Sequence, residues 1–454
     1  MLPVDSPPHT LRRSLTLRDL VVFGLLFIGP LAPVGVFGVL DAKANGAVAL
    51  VYVLATLAMA CTAWSYSQMS RVVPHAGSVF AYAGEGLGRT MGFMAGWMVM
   101  LDYLLIPAVA YLFSGIALHA LYPVLPAWLF TALAFMVATL LNISGVGVAA
   151  RAGRLVLVAE IAVLIVFVVS AIIVLMQHGP LRDWATPFTG VRDRVTGTTT
   201  SIAAIAGATS IAVLSFLGFD AIASFAEESA GDARQVGKAI VFCLLVAGAV
   251  FVVQAYLAGV LSVTTPASLA ATPAAQGTAF YDIARSTVGA WLATTLAITK
   301  AIGPAFAAMT GQAAAARLLL GMARDGRLPR ALSRIDAQRG VPTVALSVIA
   351  TLTFVVAVWA ARRDDGLSVL VSIVDVGALT AFTLLHASVI GYFVVQKRAA
   401  FTITYVVVPI VGALVTAWVL LEASVLAQIV GGVWCVIGVV ALVATRRPAG
   451  RQAA

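Results

Sequence analysis

The sequence predicts an all-α integral membrane protein of twelve transmembrane helices, and three observations predict it. The 454 residues are 61% hydrophobic and only 10% charged, with a mean hydropathy of +1.02. Charged and Pro/Gly-rich breaks divide the chain into twelve apolar stretches, each near the roughly 20 residues that a bilayer-crossing helix needs. The basic residues fall on alternate loops. A soluble chain of this length carries about 25% charged residues, so a soluble enzyme, a secreted disulfide scaffold and a disordered protein are excluded. Lipid leaves backbone groups no partners outside the segment, which makes the stretches helices.

The stretches run approximately over residues 20–40, 46–69, 90–119, 125–143, 154–177, 201–225, 237–262, 286–316, 343–361, 368–395, 401–421 and 424–445. The eighth is long enough to tilt or project. With the N-terminus inside, 20 Lys and Arg fall on inner loops and tails, seven fall outside, and Lys300 lies within a span. That bias orients the chain with both termini in the cytoplasm. It also accounts for the net charge of +9, so no nucleic-acid role is expected. Residues 1–19, with Arg12, Arg13 and Arg18, lack a cleavable apolar region and read as a cytoplasmic tail. Residues 446–454 read as the second tail. Cys61, Cys243 and Cys435 each sit in an apolar run without a neighbouring ligand type, so neither disulfide, metal nor cofactor is expected. The non-membrane stretches 178–200 and 317–342 are too short for a soluble domain.

Two spans do not read as continuous helices. In the first, Gly29-Pro30-Leu31-Ala32-Pro33 places two prolines at mid-depth, where they remove backbone donors and clash with the preceding turn. In the sixth, Phe216-Leu217-Gly218-Phe219-Asp220 places a glycine and a carboxylate in apolar sequence. The breaks fall at matching places in two halves of five helices, residues 20–177 and 201–396, with two helices added over 397–445. This predicts a five-plus-five inverted repeat, whose discontinuous helices hold a substrate near the bilayer midplane.

Pro74-His75-Ala76-Gly77-Ser78, continuing to Tyr82 and followed by Gly92-Phe93 and Gly96-Trp97, resembles a stretch of the amino acid–polyamine–organocation permeases. Phe216 to Asp220 with Glu227-Glu228 is similar to that family's sixth-span segment. Arg317 to Pro329, containing Arg324-Asp325-Gly326, resembles its loop after the eighth span. Within the family, Leu101-Asp102-Tyr103 to Pro107 and the Gly29-Pro30 break look most like the bacterial putrescine importers. The resemblance implies secondary active uptake by alternating access, usually proton-coupled. It implies substrate contacts at Gly29, Pro30, Leu31 and Ala32, at Tyr103, and at Phe216, Leu217, Gly218, Phe219 and Asp220. A bacterial inner-membrane location follows from it, with a monomer as the expected form.

Intramembrane charges cost about 2.5–3.5 kcal/mol on insertion scales, so each asks for a role. Helix rise places Asp102 roughly 20 Å beyond Arg89, and Asp375 about 15 Å below Asp365, both near the middle. Each could receive a cationic substrate; Asp102 could instead satisfy a neighbouring break. Asp220 is read first as satisfying the sixth break. Glu160 lies about 9 Å past Arg154, in the inner half, where several proton-coupled relatives have a lysine. It is the candidate for proton coupling, the alternative being an interfacial pair with Arg154. Lys300, about 25 Å from Arg317, is placed in the outer half, too far from Glu160 to pair with it. Glu227 and Glu228 read as solvated helix ends or partners of the Arg-rich loop.

No enzyme motif occurs. With two donors missing at Pro30 and Pro33, a substrate carboxylate is poorly served, which favours putrescine or another small amine. A proton-coupled amino acid permease or exchanger is the alternative.

Overall fold

The computed structural model describes residues 15–73, 78–122, 124–143, 146–191, 200–232, 234–326, 328–336, 341–363, 366–398, 402–423 and 425–444. Most of both expected tails, the motif residues Pro74 to Gly77, and Arg327 lie outside them. Over the described residues the protein is a multi-pass helical membrane protein, with one isolated bridge between Leu15 and Ser229. Its principal helices are α1 (Leu17–Ile28), α2 (Ala32–Lys43), α3 (Val48–Val72), α4 (Val79–Leu87), α5 (Arg89–Leu121), α6 (Ala127–Ile143) and α7 (Val146–His178). They continue as α8 (Ile202–Val213), α9 (Arg234–Val260), α10 (Ala290–Arg324), α11 (Thr343–Ala360), α12 (Gly366–Val389), α13 (Val408–Leu421) and α14 (Val425–Ala444). Ten described helical segments are long and apolar enough to cross a membrane. The pair α1–α2, bent by 40°, and the shorter α6 occupy the remaining two of the twelve stretches.

Both breaks are present, and each has a local cause. A capping box starts α1: Asp19 N–H donates to Thr16 Oγ (3.3 Å) and Thr16 N–H donates to Asp19 Oδ2 (3.0 Å). The helix stops at Gly29, whose φ of +74° is left-handed, and Pro30 has no N–H with which to continue the ladder. The break is shorter than the sequence suggested. Only Gly29 to Leu31 are unwound, because Pro33 falls in the first turn of α2, where a missing N–H has no helical partner to lose. The sixth span runs through α8 and a 3-10 turn, Leu214–Phe216. It breaks at Leu217 and Gly218 (φ +114°) and continues as a 3-10 helix, Phe219–Glu228. The two breaks touch: a Cβ on Gly218 would lie 2.8 Å from the Phe27 ring.

Around them, α5 packs against α10, α12 and α6, while α3 runs along α9. At the N-terminal end, Leu15 N–H donates to Glu228 C=O (2.9 Å) and Ala230 N–H to Leu15 C=O (2.8 Å). Beneath them the buried Arg317 guanidinium pairs with Glu228 and lies 4.4 Å over the Phe225 ring, which stacks on Phe23. Glu227 pairs with Arg324 at 2.9 Å. Both glutamates are therefore arginine partners, but Arg317 and Arg324 belong to α10, which extends eight residues into the stretch expected as a loop. At the other end, Arg182 reaches Asp41 through two bonds of 2.8 Å and Ser262 at 2.9 Å, pinning the end of α2.

Two indoles dock α14 onto α5. Trp97 Nε1 donates to Trp434 C=O (2.8 Å), Trp434 Nε1 donates to Trp97 C=O (2.7 Å), and the rings stack at 4.8 Å. Trp97→Phe keeps most of the stack and removes one bond. We expect it to cost about 1 kcal/mol, read as a small fall in the thermal unfolding midpoint. An unchanged midpoint would show that the bond contributes nothing to docking.

Candidate functional site

The two breaks border a central cavity of about 80 Å³, several times the space one water molecule requires. Phe27, Ile28, Gly29 and Ala32 line one side and Leu214, Ser215 and Leu217 another. Helix α5 contributes Ile106, Val109 and Phe113, and the charged lining is Glu160 of α7 and Lys300 of α10. Carbonyls freed by the first break are held by side chains. Gln254 Nε2 donates to Pro30 C=O (2.8 Å), and Lys300 Nζ donates to Leu31 C=O (3.2 Å). The last turn of α1 is left open toward the cavity. Pro30 cannot donate to Leu26, and the Ala32 N–H is directed at Gly29 (2.8 Å) rather than Ile28. This carbonyl end carries the negative pole of the half-helix.

Glu160 is 2% exposed, and its Oε2 has no hydrogen-bond partner. The opposing wall is cut to fit it: a Cβ at Gly303 would collide with Glu160 Oε1. No described ion pair joins Glu160 to Arg154, contrary to the interfacial alternative; it faces the cavity and attracts Lys300 across it. The separation of Glu160 and Lys300 read from helix rise is thus incorrect. At 35 residues α10 is about 52 Å long, more than the hydrocarbon core needs, so it tilts or projects beyond the core, and rise counted from Arg317 is no measure of the height of Lys300. Lys300 Nζ also lies 5.3 Å from the Phe113 ring centroid.

One layer behind the cavity lies a second polar group. Asp102 is fully buried, with Asp220 and Asp375 as its charged neighbours. Gly377, two residues past Asp375, brings α12 against the backbone of Met98 and Asp102. Asp220 is well partnered: Tyr103 OH donates to Oδ2 (2.7 Å) and the Gly218 N–H to Oδ1 (3.3 Å), which ties the sixth break to α5. Asp102 is not: both of its carboxylate oxygens, together with Asp375 Oδ1, lack partners. The Tyr82 hydroxyl is also unpartnered, while those of Tyr66 and Ser78 approach each other and the Asp220–Tyr103 pair without a bond of good geometry. Tyr66 sits among Asp220, Tyr82 and Asp102, and its ring meets Tyr82, Phe219 and Phe382 edge-on at 5.9–6.0 Å.

The family model for "Amino acid permease" matches residues 20–450. The chain belongs to the amino acid permease family. Among curated relatives, this permease is 29% identical to the low-affinity putrescine importer PlaP of Escherichia coli, over 95% of its own length and 93% of the relative's. It is 26% identical to the branched-chain amino acid permease BcaP of Bacillus subtilis, covering 86% and 83%. It is 28% identical to a vacuolar cationic amino acid transporter of Arabidopsis thaliana, covering 85% of this chain and 60% of that protein. The family and these relatives are membrane transporters rather than enzymes.

Of the residues expected at the site, Gly29, Ala32, Leu217 and Glu160 line the cavity. Pro30 and Leu31 do not line it; their carbonyls accept from Gln254 and from the cavity residue Lys300. Phe216 turns away, its ring 5.0 Å from Phe251, while Gly218 lies against the Phe27 ring and Phe219 meets the rings of Tyr66 and Phe382. Asp102, Tyr103, Asp220 and Asp375 do not line the cavity; Asp220 connects them to it through Gly218. Sequence reading missed Gln254, Ser215, Tyr66, Tyr82 and Phe382. Gln254 carried a signal, an amide alone in an apolar span, and Tyr82 closes the motif that begins at Pro74; Tyr66 carried none that separates it from core aromatics.

Proposed function

We propose that this permease imports a small organic amine, putrescine or a related diamine, by alternating access and in symport with protons. It acts as a monomer in a bacterial inner membrane with both termini cytoplasmic. The observation that carries the reading is the pair Asp102 and Asp375, buried with three carboxylate oxygens unpartnered. Burying an unpaired carboxylate is costly, and an ammonium group offers the missing charge-assisted bonds. The surrounding Tyr66, Tyr82, Phe219 and Phe382 rings suit an alkylammonium, which is attracted to aromatic faces. The open carbonyl end of α1 supplies a further cation-binding element on the way from the cavity. The resemblance to a putrescine importer supports the same reading.

A zwitterionic amino acid is the second reading, favoured by the apolar cavity lining with one acid and one base, Glu160 and Lys300. It is weakened by the commitment of Lys300 to Leu31 C=O. The two readings separate in a thermal-shift assay on the purified permease, since a ligand that binds only the folded state raises its stability. Putrescine should raise the unfolding midpoint at concentrations where leucine and arginine do not. A midpoint raised by an amino acid and unmoved by putrescine would sink the amine reading.

A further inference from the structure

Away from the cavity, at the N-terminal end of the molecule, α1, α3 and α9 enclose an open groove of about 640 Å³. Its rim carries Arg18 at the start of α1, Arg71 in the last turn of α3 and Lys238 in the first turns of α9. All three are exposed, and none takes part in an ion pair among the described residues. No acid is among the described lining residues, and Asp19, next to Arg18 in sequence, is held by Thr16 in the α1 cap. The wall leading toward the bilayer interior is apolar, with Trp64, Phe242 and Leu245 exposed at 37%, 53% and 51%. At the floor, a Cβ on Gly237 would meet Ser67 Cα at 2.9 Å, so α9 and α3 touch there and the groove has a closed back.

We infer that this groove binds an anionic phospholipid. Three cations from three helices converge on one mouth, which gives them a common focus, and apolar surface runs from that mouth along the helix axes. That is the layout of a lipid with its phosphate at the interface and its chains in the hydrocarbon; a free phosphate would leave the apolar wall unused. Basic pockets between membrane helices recognise such headgroups in this way. The lipid's headgroup, held by Arg18, Arg71 and Lys238, joins α1 to α3 and α9. Because α1 is one half of the broken span, the lipid braces the half-helix whose carbonyl end faces the cavity.

The test uses the full-length permease in phosphatidylcholine nanodiscs, titrated with phosphatidylglycerol and read by native mass spectrometry. Glycerol 3-phosphate serves as the headgroup without chains. Phosphatidylglycerol should be retained in preference to phosphatidylcholine, and glycerol 3-phosphate should not compete with it. Arg71→Gln and Lys238→Gln should each weaken retention roughly fivefold, whereas Arg334→Gln, an exposed cation of the loop before α11, should leave it unchanged. Unfolding midpoints measured without added lipid show whether the variants fold. Equal retention of both lipids, equal loss in Arg334→Gln, or a second copy of the chain covering the groove would overturn the assignment.

Discussion

Glu160→Gln is expected to abolish the acceleration of uptake by an inward proton gradient while substrate still binds. Glu160 stands where α7, the first break and α10 meet, inside the cavity and with one carboxylate oxygen free. Its only charged partner in the cavity among the described residues is Lys300, which simultaneously holds the Leu31 carbonyl. Protonating Glu160 removes the charge that attracts Lys300, so the lysine's grip on the first break changes with the proton. A proton that binds two access states unequally shifts their balance, and that is all coupling requires. Glutamine fixes the neutral form and keeps the shape. Uptake by the variant in proteoliposomes, with and without an imposed gradient, decides the matter. If the variant still follows the gradient, coupling does not pass through Glu160.

Asp102→Asn should weaken amine binding by about 1.5–3 kcal/mol, the range for a hydrogen bond to a charged group, or roughly ten- to hundredfold. The amide retains the volume and loses the charge, so the expected loss is of affinity rather than of fold. Asp375→Asn should act in the same direction, because its Oδ1 is also buried without a partner. Asp220→Asn is a useful contrast: Tyr103 and Gly218 already occupy that carboxylate, so its loss should lower stability along with uptake. Titration calorimetry with putrescine separates the cases. Wild-type affinity in Asp102→Asn would remove the aspartate from the site.

The helical spans were largely legible, because apolar length is a one-dimensional signal. So were the breaks, since Gly29, Pro30 and Gly218 announce themselves by backbone chemistry. Their extent was less so: Pro33 looks like a breaker in sequence and serves as the first turn of α2. Helix rise gives height along a span but not the direction in which a side chain points, and in a lipid-facing bundle both sides of a helix are apolar. Rise counted along the spans brought Asp102 and Asp375 to one level, and they are neighbours in the fold, but it did not reveal that they sit behind the cavity. Lys300 was misplaced because its 35-residue helix is too long for rise counted from Arg317 to give its height. Long-range pairs such as Arg182 with Asp41, 141 residues apart, leave no local pattern at all.

Saturable uptake of radiolabelled putrescine into proteoliposomes, with an inward proton gradient and a panel of competitors, decides whether this permease carries a diamine. Uptake should be driven by the gradient, suppressed by unlabelled diamines, and left intact by excess leucine or other neutral amino acids. Putrescine uptake no greater than in protein-free vesicles, alongside gradient-driven uptake of an amino acid by the same preparation, would contradict the diamine reading.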